Sequence, residues 1–107
     1  MSLQEELLSF ANSVGDMFRR RVAETPDGLA FLDPDRAPEG PNRWTRYTWA
    51  ESRLLVDQLA AGLLARGLAR EQRVGIISTT RLEWILLDLA VACAAGATTT
   101  VYPNTAA

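Results

Sequence analysis

One segment near the end of the chain, residues 73–104, constrains the fold more than any other. An apolar, β-branched run at residues 74–77 is followed by Ser78-Thr79-Thr80, a hydroxyl-rich helix start, and then by a long helical pattern that ends at Gly96. A second run typical of a strand follows at residues 98–102. Two strands joined by a crossover helix are parallel, with a right-handed connection. The segment therefore predicts a strand–helix–strand unit of an α/β sheet.

The amino-acid composition excludes several chemistries. All 11 basic residues are arginine, and the sequence contains neither lysine nor histidine. A histidine general base, histidine metal ligands, a Schiff-base lysine and a phosphate-binding lysine are therefore excluded. The single cysteine, Cys93, excludes an internal disulfide and a cysteine zinc site. The net charge of −2 argues against a nucleic-acid partner, since such sites usually carry a clear basic excess.

Length and hydropathy indicate one soluble domain at most. The 107 residues are 48% hydrophobic, which is typical of a folded chain and not of a disordered one. No stretch approaches the ~18 uninterrupted apolar residues of a transmembrane helix. Residues 3–13 are too short and too acidic for a secretory signal peptide. We interpret residues 1–13 as a leader without a targeting role or as a short helix. We expect a cytoplasmic protein.

Three helix starts show the spacing of a capping box, in which a hydroxyl precedes an acidic residue by three positions. The pairs are Ser13 with Asp16, Thr48 with Glu51, and Thr80 with Glu83. They predict helices over residues 14–24, 49–66 and 81–95, the second followed by a left-handed Gly67. The apolar spacing also predicts which residues of each helix face inward. They are Val14, Met17, Phe18 and Val22 on the first helix, Leu55, Leu59, Gly62 and Leu63 on the second, and Leu82, Ile85, Leu86, Leu89 and Cys93 on the third.

Two short strands are predicted between the first and second helices. Residues 29–32 form an apolar run, and residues 43–48 alternate with a period of two. Residues 33–42 contain three prolines and one glycine, which is typical of an exposed loop. We therefore predict that the two strands form a small antiparallel hairpin. The predicted fold class is α/β, and it combines this hairpin with a parallel strand–helix–strand unit and packed helices.

Two polar features could hold an anion. The turn at residues 77–80 precedes a helix, but it lacks the glycine of a dinucleotide or P-loop motif, so helix capping is the favoured interpretation. Arg19, Arg20 and Arg21 could bind phosphate, but consecutive helical residues diverge. A solvated helix face is favoured there, with Arg19 near Asp16 and Arg20 near Glu24.

The remaining candidates have structural interpretations as well. Trp44, Tyr47 and Trp49 could stack on a flat ligand, although core packing at the strand-to-helix corner is favoured. Trp84 is a candidate surface or domain-contact aromatic. Asp33, Asp35 and Glu39 do not fit a calcium loop. Cys93 is expected to be a small buried apolar residue. No catalytic, cofactor-binding, substrate-binding or metal-binding residue is assigned.

Several strings in a fixed order resemble the N-terminus of the adenylate-forming acyl-CoA synthetases, closest to their long-chain fatty acid branch. The strings are VGDMFRRRV (residues 14–22), YTWAE (47–51), LAAGL (59–63), RVGIIS (73–78), RLEW (81–84) and GATTTVYPNT (96–105). The resemblance covers residues 14–107 and implies the opening part of a large N-terminal adenylation domain. We interpret residues 1–107 as a single fragment of that domain.

The resemblance implies a parent enzyme that uses ATP, Mg²⁺ and coenzyme A to convert a fatty carboxylate to an acyl-adenylate and then to a thioester. The family's phosphate-binding loop, adenine-pocket motif, ribose-binding Asp and catalytic Lys have no counterpart here, so the chain alone is expected to be inactive. At most, residues 102–105 (Tyr102 to Thr105) would lie near the parent's cleft. The parent is expected to be cytoplasmic or peripheral at a membrane.

A second hypothesis remains open. The chain could be a self-standing α/β interaction or binding module without catalysis. For a fragment, the partner we expect is the missing remainder of the domain. We also expect a second copy as a partner, through dimerisation or strand exchange at an exposed sheet edge.

Overall fold

The computed structural model describes residues 13–34 and 44–101. The predicted order of helix, hairpin, helix and strand–helix–strand unit is confirmed. The elements are α1 (Val14–Glu24), β1 (Leu29–Asp33), β2 (Thr45–Thr48), α2 (Trp49–Ala65), β3 (Arg73–Ile77), α3 (Leu82–Cys93) and β4 (Ala97–Val101).

Strands β1 and β2 form the predicted antiparallel hairpin. Phe31 pairs with Tyr47 and Asp33 pairs with Thr45, and the register shifts between Leu29 and Phe31. Strand β1 is one residue longer than predicted because Asp33 stays in the ladder. The proline-rich loop predicted to join the strands lies mostly at residues 35–43, outside the described residues.

Strands β3 and β4 are parallel, as the sequence predicts, with α3 as the crossover. Arg73 pairs with Ala97 at one end and Ile77 with Val101 at the other. Each strand begins one residue earlier than predicted. Tyr102, the predicted last residue of β4, lies outside the described part of the chain.

The core lies where the three helices of the described residues meet. Helix α1 contacts α2 and α3, and α2 packs along α3. Gly15 marks the closest approach of α1 to α3, since a Cβ built on it would lie 3.2 Å from both the Ala92 carbonyl oxygen and the Cys93 Cα. The buried core residues are Phe18, Val22, Val56, Ala60, Leu86, Ala90 and Ala94.

The predicted inward face of α1 is partly wrong. Phe18 and Val22 are buried, but Val14 and Met17 are 51% and 57% exposed. Gly15 is buried in their place. The helix turns this residue inward because only a position without a side chain lets the two backbones approach so closely.

The inward face of α2 also differs from the prediction. Ser52, Val56 and Ala60 are its buried residues, whereas Leu59 is 38% exposed. A Cβ built on Gly62 would meet no atom within 4 Å. Leu55 and Leu63 pack against the edge of the core, as predicted. Helix α2 is apolar on most sides, so spacing alone could not identify the face that α1 and α3 would cover.

Helix α3 uses smaller side chains at its centre than predicted. Leu86 is buried as expected, together with Ala90 and Val91. The predicted residues Leu82, Leu89 and Cys93 pack at the edge of the core, and Ile85 is half-buried. Alanine lies at the centre because it permits close packing of α3 against its neighbours.

Two of the three predicted caps are confirmed. The Ser13 hydroxyl accepts from the Asp16 N–H at 3.0 Å. Thr48 and Glu51 form a complete capping box, with bonds of 3.1 and 3.0 Å.

The third predicted cap is wrong. Arg81, rather than Thr80, is the N-cap of α3, and it makes no side-chain cap hydrogen bond. Its guanidinium instead holds the Glu83 carboxylate at 2.8 Å. The stronger charge-assisted contact engages the acid that a capping box would need.

The connections that follow α2 and α3 begin with the same backbone motif. Gly67 has φ +96°, and the Leu68 N–H reaches the Leu63 carbonyl at 3.1 Å. This is the left-handed end that the sequence predicts for α2. Helix α3 ends likewise, with Ala95 at φ 62° and the Gly96 N–H bonded to the Val91 carbonyl at 2.9 Å.

Candidate functional site

A concavity of about 490 Å³ lies at the carboxyl end of β3. It forms there because β3 ends where the crossover helix begins, which is the usual place for ligand loops in parallel sheets. Its lining combines apolar residues with polar groups from the turn and the start of α3. The lining residues are Gly75, Ile76, Ile77, Ser78, Arg81, Glu83, Trp84 and Leu87.

The polar groups of this turn contact one another. The Ser78 hydroxyl donates to the Thr79 carbonyl at 2.9 Å, and Arg81 pairs with Glu83. This pair places a carboxylate beside the arginine that lines the concavity. An anion would have to compete with that carboxylate for Arg81, so the geometry does not support the anion-site hypothesis for residues 77–80.

Trp84 is half-buried on the wall of the concavity. This position agrees with the prediction of a surface or domain-contact aromatic, which stays a prediction because the structure holds no partner. Amphipathic rings of this kind are enriched at protein interfaces.

A second, more apolar groove of about 390 Å³ lies between α2 and α3. The sequence analysis missed it, although leucines on more than one side of α2 were a signal that this helix covers more than one neighbour. Tyr47, Gln58 and Glu83 supply its polar groups. The apolar lining consists of Leu55, Leu59, Leu82, Leu86 and Leu87.

The aromatic residues of the hairpin do not form a stacking platform. The Trp49 ring lies 6.2 Å from Phe18 and 5.9 Å from Phe31, measured between centroids, in tilted pairs. The core interpretation is therefore confirmed for Trp49. It is wrong for Trp44, which is 46% exposed, because Trp44 precedes β2 and lies outside the hairpin ladder. Tyr47 points into the α2–α3 groove.

The arginine triplet of α1 is a solvated helix face, as the sequence favours. Arg20 pairs with Asp16 at 3.1 Å and Arg21 with Glu24 at 3.6 Å. The predicted partners, Arg19 for Asp16 and Arg20 for Glu24, are therefore wrong. Arg19 lies instead on the side of α1 close enough to Cys93 to influence its ionisation.

Metal ligands do not gather in the described part of the chain. Residues 13–34 and 44–101 contain no group of three or more His, Cys, Asp or Glu side chains that could hold a metal ion. Asp33 is 2% exposed and belongs to the end of β1. Asp35 and Glu39, the other members of the acidic loop, lie outside the described residues.

Cys93 is half-buried on α3 between charged neighbours. Burial raises the pKa of its thiol above the ordinary value of 9.0. Arg19 and Arg53 oppose this effect on the pKa, and the carboxylate of Asp57 adds to it. A thiol with a raised pKa is a poor nucleophile near neutral pH. The prediction of a buried small apolar residue is therefore only partly confirmed, because Cys93 packs at the edge of the core.

The geometry thus describes a scaffold whose concavities lack a complete catalytic constellation within the described residues. Comparison with known proteins gives the missing assignment. The model of the family described as "AMP-binding enzyme" matches residues 18–107. The chain belongs to the AMP-binding enzyme family.

Curated relatives share recognisable sequence with the chain. The long-chain-fatty-acid–CoA ligase FadD15 of Mycobacterium bovis is 36% identical over 64 residues, which are 60% of this chain and 11% of the relative. The beauvericin nonribosomal cyclodepsipeptide synthetase BEA1 of Gibberella fujikuroi is 33% identical over 79 residues, or 74% of this chain and 2% of the relative. The chain therefore spans only a small part of either protein.

A solved structure has the same fold. The crystal structure of fatty acid AMP ligase from Legionella pneumophila superimposes with a TM-score of 0.76 and 22% identity. The match covers 99% of this chain and 18% of the Legionella chain. The α/β fold is therefore that of the N-terminal part of an adenylate-forming enzyme.

The residues that the family resemblance would place near the parent's cleft lie outside the described residues. Tyr102, Pro103, Asn104 and Thr105 follow β4 and are outside the described residues. None of the described helices is long and apolar enough to cross a bilayer.

Proposed function

We propose that this chain is the opening part of the large adenylation domain of a long-chain fatty acid–CoA ligase. The observation that carries the proposal is the 36% identity to a long-chain fatty acid–CoA ligase, in a chain matched by the AMP-binding family. Four of the sequence strings that resemble this branch fall on α1, the β2–α2 corner, β3 and the start of α3.

The proposed parent reaction has two steps. A fatty carboxylate oxygen attacks the α-phosphorus of ATP, and pyrophosphate leaves to give the acyl-adenylate. The sulfur of coenzyme A then attacks the acyl carbon, AMP leaves, and the thiol proton passes to solvent. ATP, Mg²⁺ and coenzyme A are thus the proposed cofactors and cosubstrates of the parent. Binding of Mg²⁺ to the phosphates would neutralise charge that develops as pyrophosphate departs.

The contribution of this chain in that enzyme is structural. It has neither a lysine nor a histidine to act as a general base. Arg81, the arginine that lines the strand-end concavity, is paired with Glu83. We therefore expect the 107-residue chain alone to be inactive, with no catalytic or ligand-binding residue assigned to it. Its proposed role is to hold the first strands and helices on which the domain is built.

The open surfaces of the chain fit such a role. Ile77 is 71% exposed beside β4, and Leu54 and Leu64 on α2 are 65% and 54% exposed. We infer that these exposed apolar side chains are covered by another protein surface in the parent enzyme. The proposed partners are the remainder of the adenylation domain or a second copy of the chain. The proposed location is the cytoplasm, with the parent peripheral at a membrane.

The activity can be tested on two proteins, the 107-residue chain and the full product of its gene. Each is incubated with ATP, Mg²⁺, palmitate and coenzyme A, and pyrophosphate and palmitoyl-CoA are measured. We expect palmitoyl-CoA from the full product and only background from the 107 residues. Turnover by the 107-residue chain above a no-protein control would contradict its proposed inactivity.

A second candidate is an adenylation unit of a nonribosomal synthetase. The longer match, 79 residues to a cyclodepsipeptide synthetase, favours it. Pyrophosphate exchange with amino acids and hydroxy acids, in the absence of coenzyme A, distinguishes it from fatty acid activation. A gene that ends at Ala107 would instead favour the self-standing interaction module.

A further inference from the structure

The connection between α2 and β3 carries a local excess of positive charge. Arg66, Arg70 and Arg73 lie within eight residues of sequence, and all three are exposed. Residues 58–82 contain a single acidic residue. The whole chain has a net charge of −2, so the excess belongs to one part of the surface and is not a general basicity. Residues 64–73 are called the basic connection below.

The three guanidinium groups of the basic connection lack the partners that other arginines have. Elsewhere in the described residues, a carboxylate lies at 2.8 to 3.6 Å from each of Arg20, Arg21, Arg53 and Arg81. No described residue forms an ion pair or a side-chain hydrogen bond with the guanidinium of Arg66, Arg70 or Arg73. An exposed guanidinium in this state keeps its N–H donors available for an anionic partner.

Tight backbone turns fix the position of these charges. The Gln72 N–H donates to the Ala69 carbonyl at 3.0 Å, and the Ala69 N–H donates to the Gln72 Oε1 at 2.9 Å. Arg70 therefore lies at the tip of a closed turn. The Glu71 N–H donates to the Ala95 carbonyl at 2.7 Å and ties this turn to the end of α3. Because the backbone is already ordered, binding through these arginines costs little further ordering.

The surroundings of the basic connection favour an extended partner over a small one. None of residues 64–73 lines the concavity at β3 or the α2–α3 groove. Small ligands usually bind in a cleft, whereas a lipid surface needs none. Leu64 is 54% exposed and precedes the first arginine by two residues. Exposed leucine beside arginine is typical of segments that bind membrane interfaces.

We propose that the basic connection binds the surface of an anionic phospholipid membrane. The three guanidinium groups hold the phosphate and carboxylate groups of the lipids. Leu64 enters the interface, and the arginine stems lie along it. With Glu71 included, the basic connection keeps a net charge of +2. The membrane location proposed for the parent, on which the inference rests, then has a defined surface, and this binding does not require ligase activity.

Two variants of equal net charge test the proposal. The first removes the unpaired charges and is Arg66→Gln/Arg70→Gln/Arg73→Gln. The second is a matched control that removes three charges already held by carboxylates, Arg20→Gln/Arg21→Gln/Arg53→Gln. General electrostatic attraction is the same for both variants, so a difference between them reports on the basic connection.

Each protein is sedimented in about 0.1 M salt with vesicles of phosphatidylcholine alone and with vesicles that also contain about 30% phosphatidylserine. We expect wild type to bind only the anionic vesicles and to leave them as the salt rises to about 0.5 M. Each arginine near an anionic surface changes binding about fivefold. The basic-connection variant should therefore lower the partition coefficient at least about tenfold, and the control less than about threefold.

Circular dichroism of both variants separates these results from unfolding. Equal losses in the two variants, equal binding to both kinds of vesicle, or no binding by wild type would overturn the proposal. Poly-glutamate is the competing anionic probe. If it binds the chain more tightly than anionic vesicles do at equal charge concentration, the arginines belong to an acidic protein partner and the lipid proposal is wrong.

The full product of the gene is measured in the same assay, because the rest of the domain could cover the basic connection. Vesicle binding by the 107-residue chain that is absent from the full product overturns the proposal. A full product that makes palmitoyl-CoA without binding vesicles contradicts the lipid surface alone. One that binds vesicles through these arginines without making palmitoyl-CoA contradicts the proposed activity alone, so the two failures are distinguishable.

Discussion

At the scale of single residues, Trp49 and Cys93 show how much a side chain's surroundings decide. Trp49 is the first residue of α2, and its ring joins the hairpin to α1 through Phe31 and Phe18. The sequence pattern places it correctly at the corner because a strand pattern changes to a helix pattern there. The same pattern could not separate Trp44 from Trp49, since both are aromatic residues of one amphipathic stretch.

The raised pKa of Cys93 predicts a pH dependence of stability. Burial favours the neutral thiol in the folded state, so its folded pKa lies above the ordinary value of 9.0. Below that value this stabilisation is complete, and it is lost as pH rises through the folded pKa. Urea unfolding of wild type and Cys93→Ala from pH 7 to about pH 10.5 should show a steeper alkaline decline for wild type.

A chemical measurement checks the same group. Iodoacetamide should modify Cys93 more slowly in the folded chain than in the urea-unfolded chain at about pH 8, since the thiolate is the reactive form. Equal rates, or matching alkaline profiles for wild type and Cys93→Ala, would contradict the raised pKa.

At the scale of elements, local capping chemistry explains why the helices begin where they do. Ser13 and Thr48 satisfy backbone donors that α1 and α2 would otherwise leave unpaired. The same spacing at Thr80 does not form a cap, because Arg81 takes the Glu83 carboxylate. A capping box thus depends on the residues between its hydroxyl and its acid.

A pair of threonine substitutions tests this difference. Thr48→Ala removes a capping box and should lower the free energy of unfolding by about 1 kcal/mol. Thr80→Ala removes an exposed hydroxyl without a capping role and should change it by less than about 0.5 kcal/mol. Urea denaturation of both variants gives the comparison, and equal losses would mean that Thr80 caps α3 after all.

The elements were predictable because their signals are local. Strand alternation, hydroxyl starts and Gly67 located every described element to within a few residues. The sites were not predictable in the same way. The α2–α3 groove contains Tyr47, Leu59 and Leu86 from three different elements, and no spacing along the chain shows that they converge.

At the scale of the whole molecule, the packing of three helices decides which faces are buried. Helix α1 meets α3 at Gly15, and α2 presents its Ser52 side to the core. The opposite side of α2 and one face of the β3–β4 pair remain open. These open surfaces agree with a chain whose structural match covers only 18% of the length of the Legionella fatty acid AMP ligase.

Two glycines on different helices provide a matched test of this packing. Gly15→Leu places a side chain against the α3 backbone, which cannot yield easily, and should destabilise the chain by about 2 kcal/mol. Gly62→Leu meets open space and should stabilise α2 by about 0.5 kcal/mol through helix propensity. The measurement is thermal and urea unfolding. Changes of the same sign in both variants would contradict the observed faces.

The sequence by itself determined the order and type of the elements, the parallel and antiparallel pairings, the family resemblance and the chemistries that a chain without lysine or histidine cannot perform. Only the tertiary structure decided that Gly15 is buried while Val14 and Met17 are exposed, and that a groove opens between α2 and α3. The physical reason is that capping and strand alternation act over a few neighbouring residues. Burial depends on which surfaces of distant elements meet, and α2, apolar on most sides, carries no local mark of that choice.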